Sequence, residues 1–176
     1  STNEKFNVDS VELLNPQGIE LSNLRQSLIP NLLETVNYNI NRQNNDLKLF
    51  EIGNVYTVIN NDFNEMRRIL ISVVGSVFKE NWMIKYQENN FFYLKGVIEK
   101  LLAIINVENI KYEVTDDEIY DYKLNILKGK LIIGSIGEIK SNYANNFSVD
   151  QKINICSLYL DLLKPSSEKV IYQEIS

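Results

Sequence analysis

The stretch NPQGIELSNLRQSLIPNLLETVNYNINRQNNDLKLFEIG, residues 15–53, decides the reading of this chain. Within it Ile29, Leu32, Leu33, Val36 and Ile40 recur at i, i+3, i+4, i+7 and i+11, so they share one face of a helix. Ser27 can cap its start, and Pro30 suits the first turn, where a missing N–H costs nothing. The opposite face carries Glu34, Asn37, Asn41 and Arg42. Before the helix, Val11 to Leu14 is a short apolar run ended by Asn15–Pro16, which reads as a strand entering a turn. After it, Leu47 to Gly53 and Val55 to Ile59 read as two strands, bent at Gly53–Asn54.

The pattern continues outward in the same style. Asn60–Asn61–Asp62 is a turn, and Arg68 to Phe78 is a long central strand rich in β-branched residues, with Gly75 marking a bulge. Residues 81–90 read as a loop or a short helix. Leu94, Val97, Ile98, Leu101, Leu102 and Ile105 predict a second amphipathic helix, with Asn89 or Asn90 as its cap. Lys111 to Val114 is a strand, and Lys123–Leu127 with Lys130–Ile139 forms a hairpin around Lys128–Gly129. Ile153 to Leu160 is a further strand, and Val170–Ile171–Tyr172 lies in a polar tail. Strands outnumber helices and short turns join several of them. The expected fold is therefore α+β, a mostly antiparallel sheet flanked by helices, formed by residues 1–176 as a single domain.

Composition narrows the chemistry. The chain has 176 residues, 44% hydrophobic and 23% charged, enough to bury a core. Its net charge of −5 argues against a basic nucleic-acid-gripping face. It contains no histidine, which excludes His-based general bases, Ser-His-Asp systems and most zinc sites. The single Cys156 has no internal disulfide partner, which fits a reducing, cytoplasmic setting. No apolar run approaches the roughly 18–20 residues that span a bilayer. The start at Ser1–Thr2–Asn3, without Met, suggests a piece excised from a longer chain.

Phosphate-binding glycine motifs of the P-loop and dinucleotide types do not occur. Gly134–Ser135–Ile136–Gly137 is a G-x-x-G, but it sits inside an apolar run and reads as strand glycines admitting close packing. Asp116, Asp117, Glu118 and Asp121 could hold Mg²⁺, with a solvated loop as the plainer reading. Arg67–Arg68 could meet phosphate, or simply flank a strand with exposed charge. Cys156 reads as a small buried hydrophobe. Trp82 and Phe91–Phe92 read as packing aromatics ahead of a ligand platform.

Several blocks together resemble the beta subunit of phenylalanyl-tRNA synthetase. They are VELLNP ending at Asn15–Pro16, Glu20–Leu21–Ser22, the LRQSLIPNLL run with Arg25 and Pro30, Asn39, Arg42, and LFEIG with Phe50, Glu51 and Gly53. NFFYLKG, with Phe91, Phe92, Lys95 and Gly96, resembles the family's DFFDLKG leading into a helix. IGSIGE, residues 133–138, resembles its IGxIGE strand. Asn90 and Tyr93 replace two usual acidic residues, and Lys140 stands where many members have His, so no polar role is carried to these three.

The resemblance implies a core like that of the class II aminoacyl-tRNA synthetases. It also implies an inactive copy, because no Gly-rich segment ends in the arginine such sites use on phosphate. On this reading the chain holds no cofactor or metal. The alpha subunit of an (αβ)₂ assembly supplies the ATP and Mg²⁺ chemistry on tRNA(Phe). The resemblance further implies that the first helix, with Arg25, Leu28, Ile29, Leu32, Leu33, Val36 and Ile40, faces that alpha subunit. Two alternatives remain open at this point: an active class II adenylate-forming domain, and an unrelated α+β interaction module.

Overall fold

The first amphipathic helix forms where its periodicity places it. In the computed structural model, which describes residues 11–12, 23–59, 62–76 and 91–164, α1 runs Ile29–Ile40. Its N-cap position is Leu28 rather than Ser27, and Pro30 lies in its first turn. The Ser27 hydroxyl accepts instead from the Ile29 N–H at 3.2 Å, one position early. Ahead of α1, β1 (Val11–Glu12) pairs antiparallel with β2 (Asn23–Leu24). Asn15 and Pro16 lie outside the described residues, as do Trp82, Asn89, Asn90 and the tail from 165.

The remaining elements are β3 (Leu47–Ile59), β4 (Asp62–Val74), α2 (Phe91–Ile104), β5 (Ile110–Thr115), β6 (Tyr120–Lys128), β7 (Leu131–Ile139), α3 (Ser141–Asn145) and β8 (Ile153–Tyr159). A single 3-10 turn, Leu160–Leu162, follows. Six strands form one antiparallel sheet in the order β3-β4-β8-β7-β6-β5. The expected α+β class with an antiparallel sheet is what forms.

Three expectations need correction. The two strands expected over 47–59 are one: β3 pairs with β4 without interruption from Leu47↔Val74 to Ile59↔Asp62, straight through Gly53 and Asn54. The strand expected from Arg68 begins at Asp62, and it lies second from the edge, with β8 and β7 nearer the centre. Gly75 is not a bulge. It follows β4 with φ +74°, where an added Cβ would strike the Asn45 carbonyl oxygen, and it lets the Ser76 N–H reach Asp46 Oδ1 at 2.5 Å.

The sheet is covered on both faces. Alternation along β4 sends Leu70 and Val74 to the α1 face and Val73 to the α2 face. Along β8, Ile153 and Ile155 face α1, while Cys156 and Leu158 face α2. A strand buried on both faces tends toward a continuous apolar run, and in INIC only Asn154, itself fully buried, interrupts it. Leu28, Leu32, Leu33 and Val36 close the first core with Leu47 and Val55. Leu94, Ile98 and Leu102 close the second with Ile126, Ile133 and Ile136. Gly134 and Gly137 of β7 admit the close approach expected of them, since an added Cβ would meet the Ser157 and Tyr122 carbonyl oxygens.

Candidate functional site

Arg25 sits between β2 and α1 and reaches across to β3. Its Nη1 donates to Glu51 Oε1 at 2.7 Å and its Nε to the Asn54 carbonyl at 3.0 Å. Its own carbonyl accepts from the Tyr56 N–H at 2.9 Å. Gly53 lies under the guanidinium, and a Cβ there would collide with it. Arg25, Glu51 and Gly53 therefore form one clamp that fixes the entry to α1 against β3. Arg25, expected at a subunit interface, has this internal role.

The same holds for the apolar stripe of α1. Leu28, Ile29, Leu32, Leu33 and Val36 are buried in the protein's own core, and Ile40 packs against it. Leu33 is 0% exposed. An amphipathic stripe resting on a sheet buries itself there first, because that sheet is always within reach. What α1 shows outward is polar: Glu34, Thr35, and Tyr38 with the Arg42 guanidinium stacked 3.4 Å from its ring centroid.

The exposed apolar surface lies elsewhere. Phe50 is 72% exposed and Ile52 54%. β3 is an edge strand. The Tyr56 N–H and Asn54 carbonyl point away from β4, toward Arg25, so antiparallel pairing turns the backbone groups of Phe50 and Ile52 outward too. Among the described residues, the edge is covered at Asn54–Tyr56 and open at Phe50 and Ile52.

The NFFYLKG block opens α2. Phe91 packs edge-on to Phe92, with centroids 5.6 Å apart, and to Tyr122 at 5.2 Å. Phe92 itself is 77% exposed. Lys95 pairs with Glu99 at 2.6 Å and lies over the Tyr112 ring, while Gly96 faces open space. These residues anchor a helix to the sheet and converge on no cavity.

A cavity of about 180 Å³ does open on the α1 face of the sheet. Leu28 and Ile29 wall one side, Tyr120 and Lys123 the other, and Leu70, Ser135 and Ser157 form its floor with Arg68 beside them. Lys123 is held by Asp117 at 2.6 Å. Burial first, and the charge of Asp117 second, push the Tyr120 phenol above its ordinary range, so it stays protonated at neutral pH. No local pattern announces this cavity, since its residues come from four separate strands, the loop before β6 and the start of α1. In the sequence Arg67–Arg68 read either as a phosphate contact or as a strand flank. In the fold the two separate: Arg67 pairs with Asp161 at 3.3 Å, while Arg68 turns to the cavity.

Of the acidic cluster expected as a possible Mg²⁺ site, Asp116 and Glu118 lie in the loop before β6 and Asp121 in β6 itself, and Asp116, Asp117 and Asp121 line a second cavity, of about 380 Å³, with Lys123 and Lys140. Lys140 Nζ donates to the Glu118 carbonyl at 3.0 Å, and the Ile119 N–H to Asp117 Oδ1 at 3.1 Å. Among the described residues no three acidic or thiol side chains converge as metal ligands would. Cys156 is fully buried, and burial pushes its thiol up, which leaves it an inert hydrophobe. No helix among the described residues is long and apolar enough to cross a membrane.

Comparisons with known proteins agree with this geometry. The chain is 32% identical over 145 residues to the phenylalanine–tRNA ligase beta subunit of Protochlamydia amoebophila, covering 81% of the chain and 18% of that protein. It is 33% identical over 187 residues to the corresponding subunit of Fusobacterium nucleatum, covering 99% of the chain and 23% of that protein. The chain thus spans about a fifth of the length of these relatives. Among solved structures, two of pyrrolysyl-tRNA synthetase from Desulfitobacterium hafniense share its fold. One has TM-score 0.66 at 16% identity, covering 88% of this chain and 52% of that one. The other has TM-score 0.61 at 17% identity, covering 80% and 48%. The sheet and its flanking helices are therefore those of a class II synthetase core. Residues 1–160 match the family described as the phenylalanyl tRNA synthetase beta chain CLM domain, and the chain belongs to that family.

Proposed function

We propose that this chain is a non-catalytic structural and assembly domain of a phenylalanine–tRNA ligase beta subunit. In this reading it packs against a catalytic alpha subunit within an (αβ)₂ enzyme of the cytoplasm. That enzyme aminoacylates tRNA(Phe) with ATP and Mg²⁺, and the chemistry belongs to the alpha chain. One observation carries the reading: no Gly-rich segment of the sequence ends in the arginine that a class II site uses on phosphate.

Contact with the partner is assigned to the open edge of β3, where Phe50 and Ile52 are exposed, and not to the buried stripe of α1. The helix serves assembly at one remove, by holding β3 in place through the Arg25 clamp. Titration calorimetry of the chain with ATP and Mg²⁺ tests the non-catalytic reading, and no binding in the micromolar range is expected. A saturable micromolar isotherm would overturn it.

A further inference from the structure

Among the described residues, Arg68 has no counter-ion. Its Nη2 donates to the Tyr159 hydroxyl at 2.7 Å, and its guanidinium carbon lies 4.3 Å from the centre of that ring. Its Nε is buried and meets no acceptor. Among the described residues no carboxylate lies within ion-pair distance of it. Its neighbour Arg67 has one in Asp161, and the other cation of the cavity, Lys123, has one in Asp117. The walls of the cavity therefore keep one positive charge uncompensated. A buried N–H with no acceptor is rare in folded proteins and calls for a partner. A guanidinium is shaped to receive a planar or tetrahedral oxyanion by two parallel hydrogen bonds.

The cavity supplies the rest of such a site. Ser135 and Ser157 stand directly opposite each other on β7 and β8, and both line its floor. Each brings a hydroxyl that can donate to an oxygen. The apolar wall of Leu28, Ile29 and Leu70 limits the ligand to a small group, and the one carboxylate that lines the cavity, Asp117, is paired with Lys123.

We propose that this cavity binds a small oxyanion, a carboxylate or a phosphate group, with Arg68 as its charged partner and Ser135 and Ser157 as further donors. The inference stands independently of the assembly role. A cavity too small for a nucleotide is large enough for a single such group.

The test follows the arginine side-chain Nε–H signals by ¹⁵N-edited NMR. Inorganic phosphate and acetate are titrated separately, at an ionic strength held constant with chloride. A saturable shift of the Arg68 signal is expected, with the exposed Arg42 and Arg67 signals as internal references that move little. Saturation at lower phosphate assigns a phosphate ligand, and saturation at lower acetate assigns a carboxylate. Arg68→Gln should weaken binding about tenfold or more, read at the Ser157 backbone amide, because it removes a charge-assisted hydrogen bond. Ser157→Val retains Arg68 but fills the floor with methyl groups, and should also abolish the shift. An unmoved Arg68 signal, or all three arginines moving in parallel, would overturn the proposal.

Discussion

At the scale of single residues, the clamp explains why Arg25 belongs with Glu51 and Gly53, which lie 26 or more residues further along the chain. The sequence marked each of them as part of a motif, but nothing in it could link them, because the link is made by the fold. Gly53 is needed for what lies above it. A methyl at that position would push the Arg25 guanidinium aside and break its bonds to Glu51 and the Asn54 carbonyl. Gly53→Ala should therefore cost about 1–2 kcal/mol in urea unfolding, the range for a partly exposed, charge-assisted contact. In an Arg25→Ala background the same substitution should cost nearly nothing. An equal penalty in both backgrounds would show that Arg25 is not the obstacle. Arg68 teaches the complementary lesson. A pair of adjacent arginines on a strand points to opposite faces, so Arg67 and Arg68 had to have different environments, but which one met a cavity depended on β7 and β8.

At the scale of elements, legibility followed periodicity. α1 was readable to its ends because five apolar residues hold a 3.6-residue spacing and Pro30 marks the first turn. The hairpin of β6 and β7 was readable from Lys128–Gly129 between apolar runs. β3 was misread as two strands because Gly and Asn ordinarily punctuate, while here thirteen consecutive pairs with β4 override that local preference. α3 was missed, since five mostly polar residues are too short to show a period. The partner-facing stripe of α1 was an error of a different kind: periodicity shows that a helix has an apolar face, not what covers it. This changes what a substitution there reports. Leu33→Ala should destabilise the domain by about 2–5 kcal/mol, measured by chemical denaturation, because it opens a void in a filled core. A loss below about 1 kcal/mol would mean that Leu33 is not buried as described. Leu33→Asp would disturb assembly only by unfolding the domain.

At the scale of the whole molecule, the surface that separates this domain from an ordinary closed sheet is the edge of β3. An open edge with exposed aromatic and aliphatic side chains is a liability unless something covers it. Phe50→Lys should thus reduce co-purification with a cognate alpha subunit while leaving the thermal midpoint of the isolated chain unchanged. Undiminished co-purification would remove β3 from the interface. The α+β class and the antiparallel sheet were both expected from short turns and strand-rich patterning. The strand order was not, because β8 enters between β4 and β7 and no local pattern encodes that insertion.

That insertion also bears on how the chain is made. A ribosome delivers β3 and β4 first, as a hairpin, and β5, β6 and β7 later, as a three-stranded meander. Neither piece can join the other until residues 153–159 emerge, since β8 is the only strand that touches both. Until then each half waits with a raw edge and one uncovered apolar face, the condition in which nascent chains are most prone to aggregate. Synthesis must reach β8 before this sheet can close, and a slow, non-local step of this kind puts the domain among the unhurried folders. It would gain more than most from a chaperone at the tunnel exit.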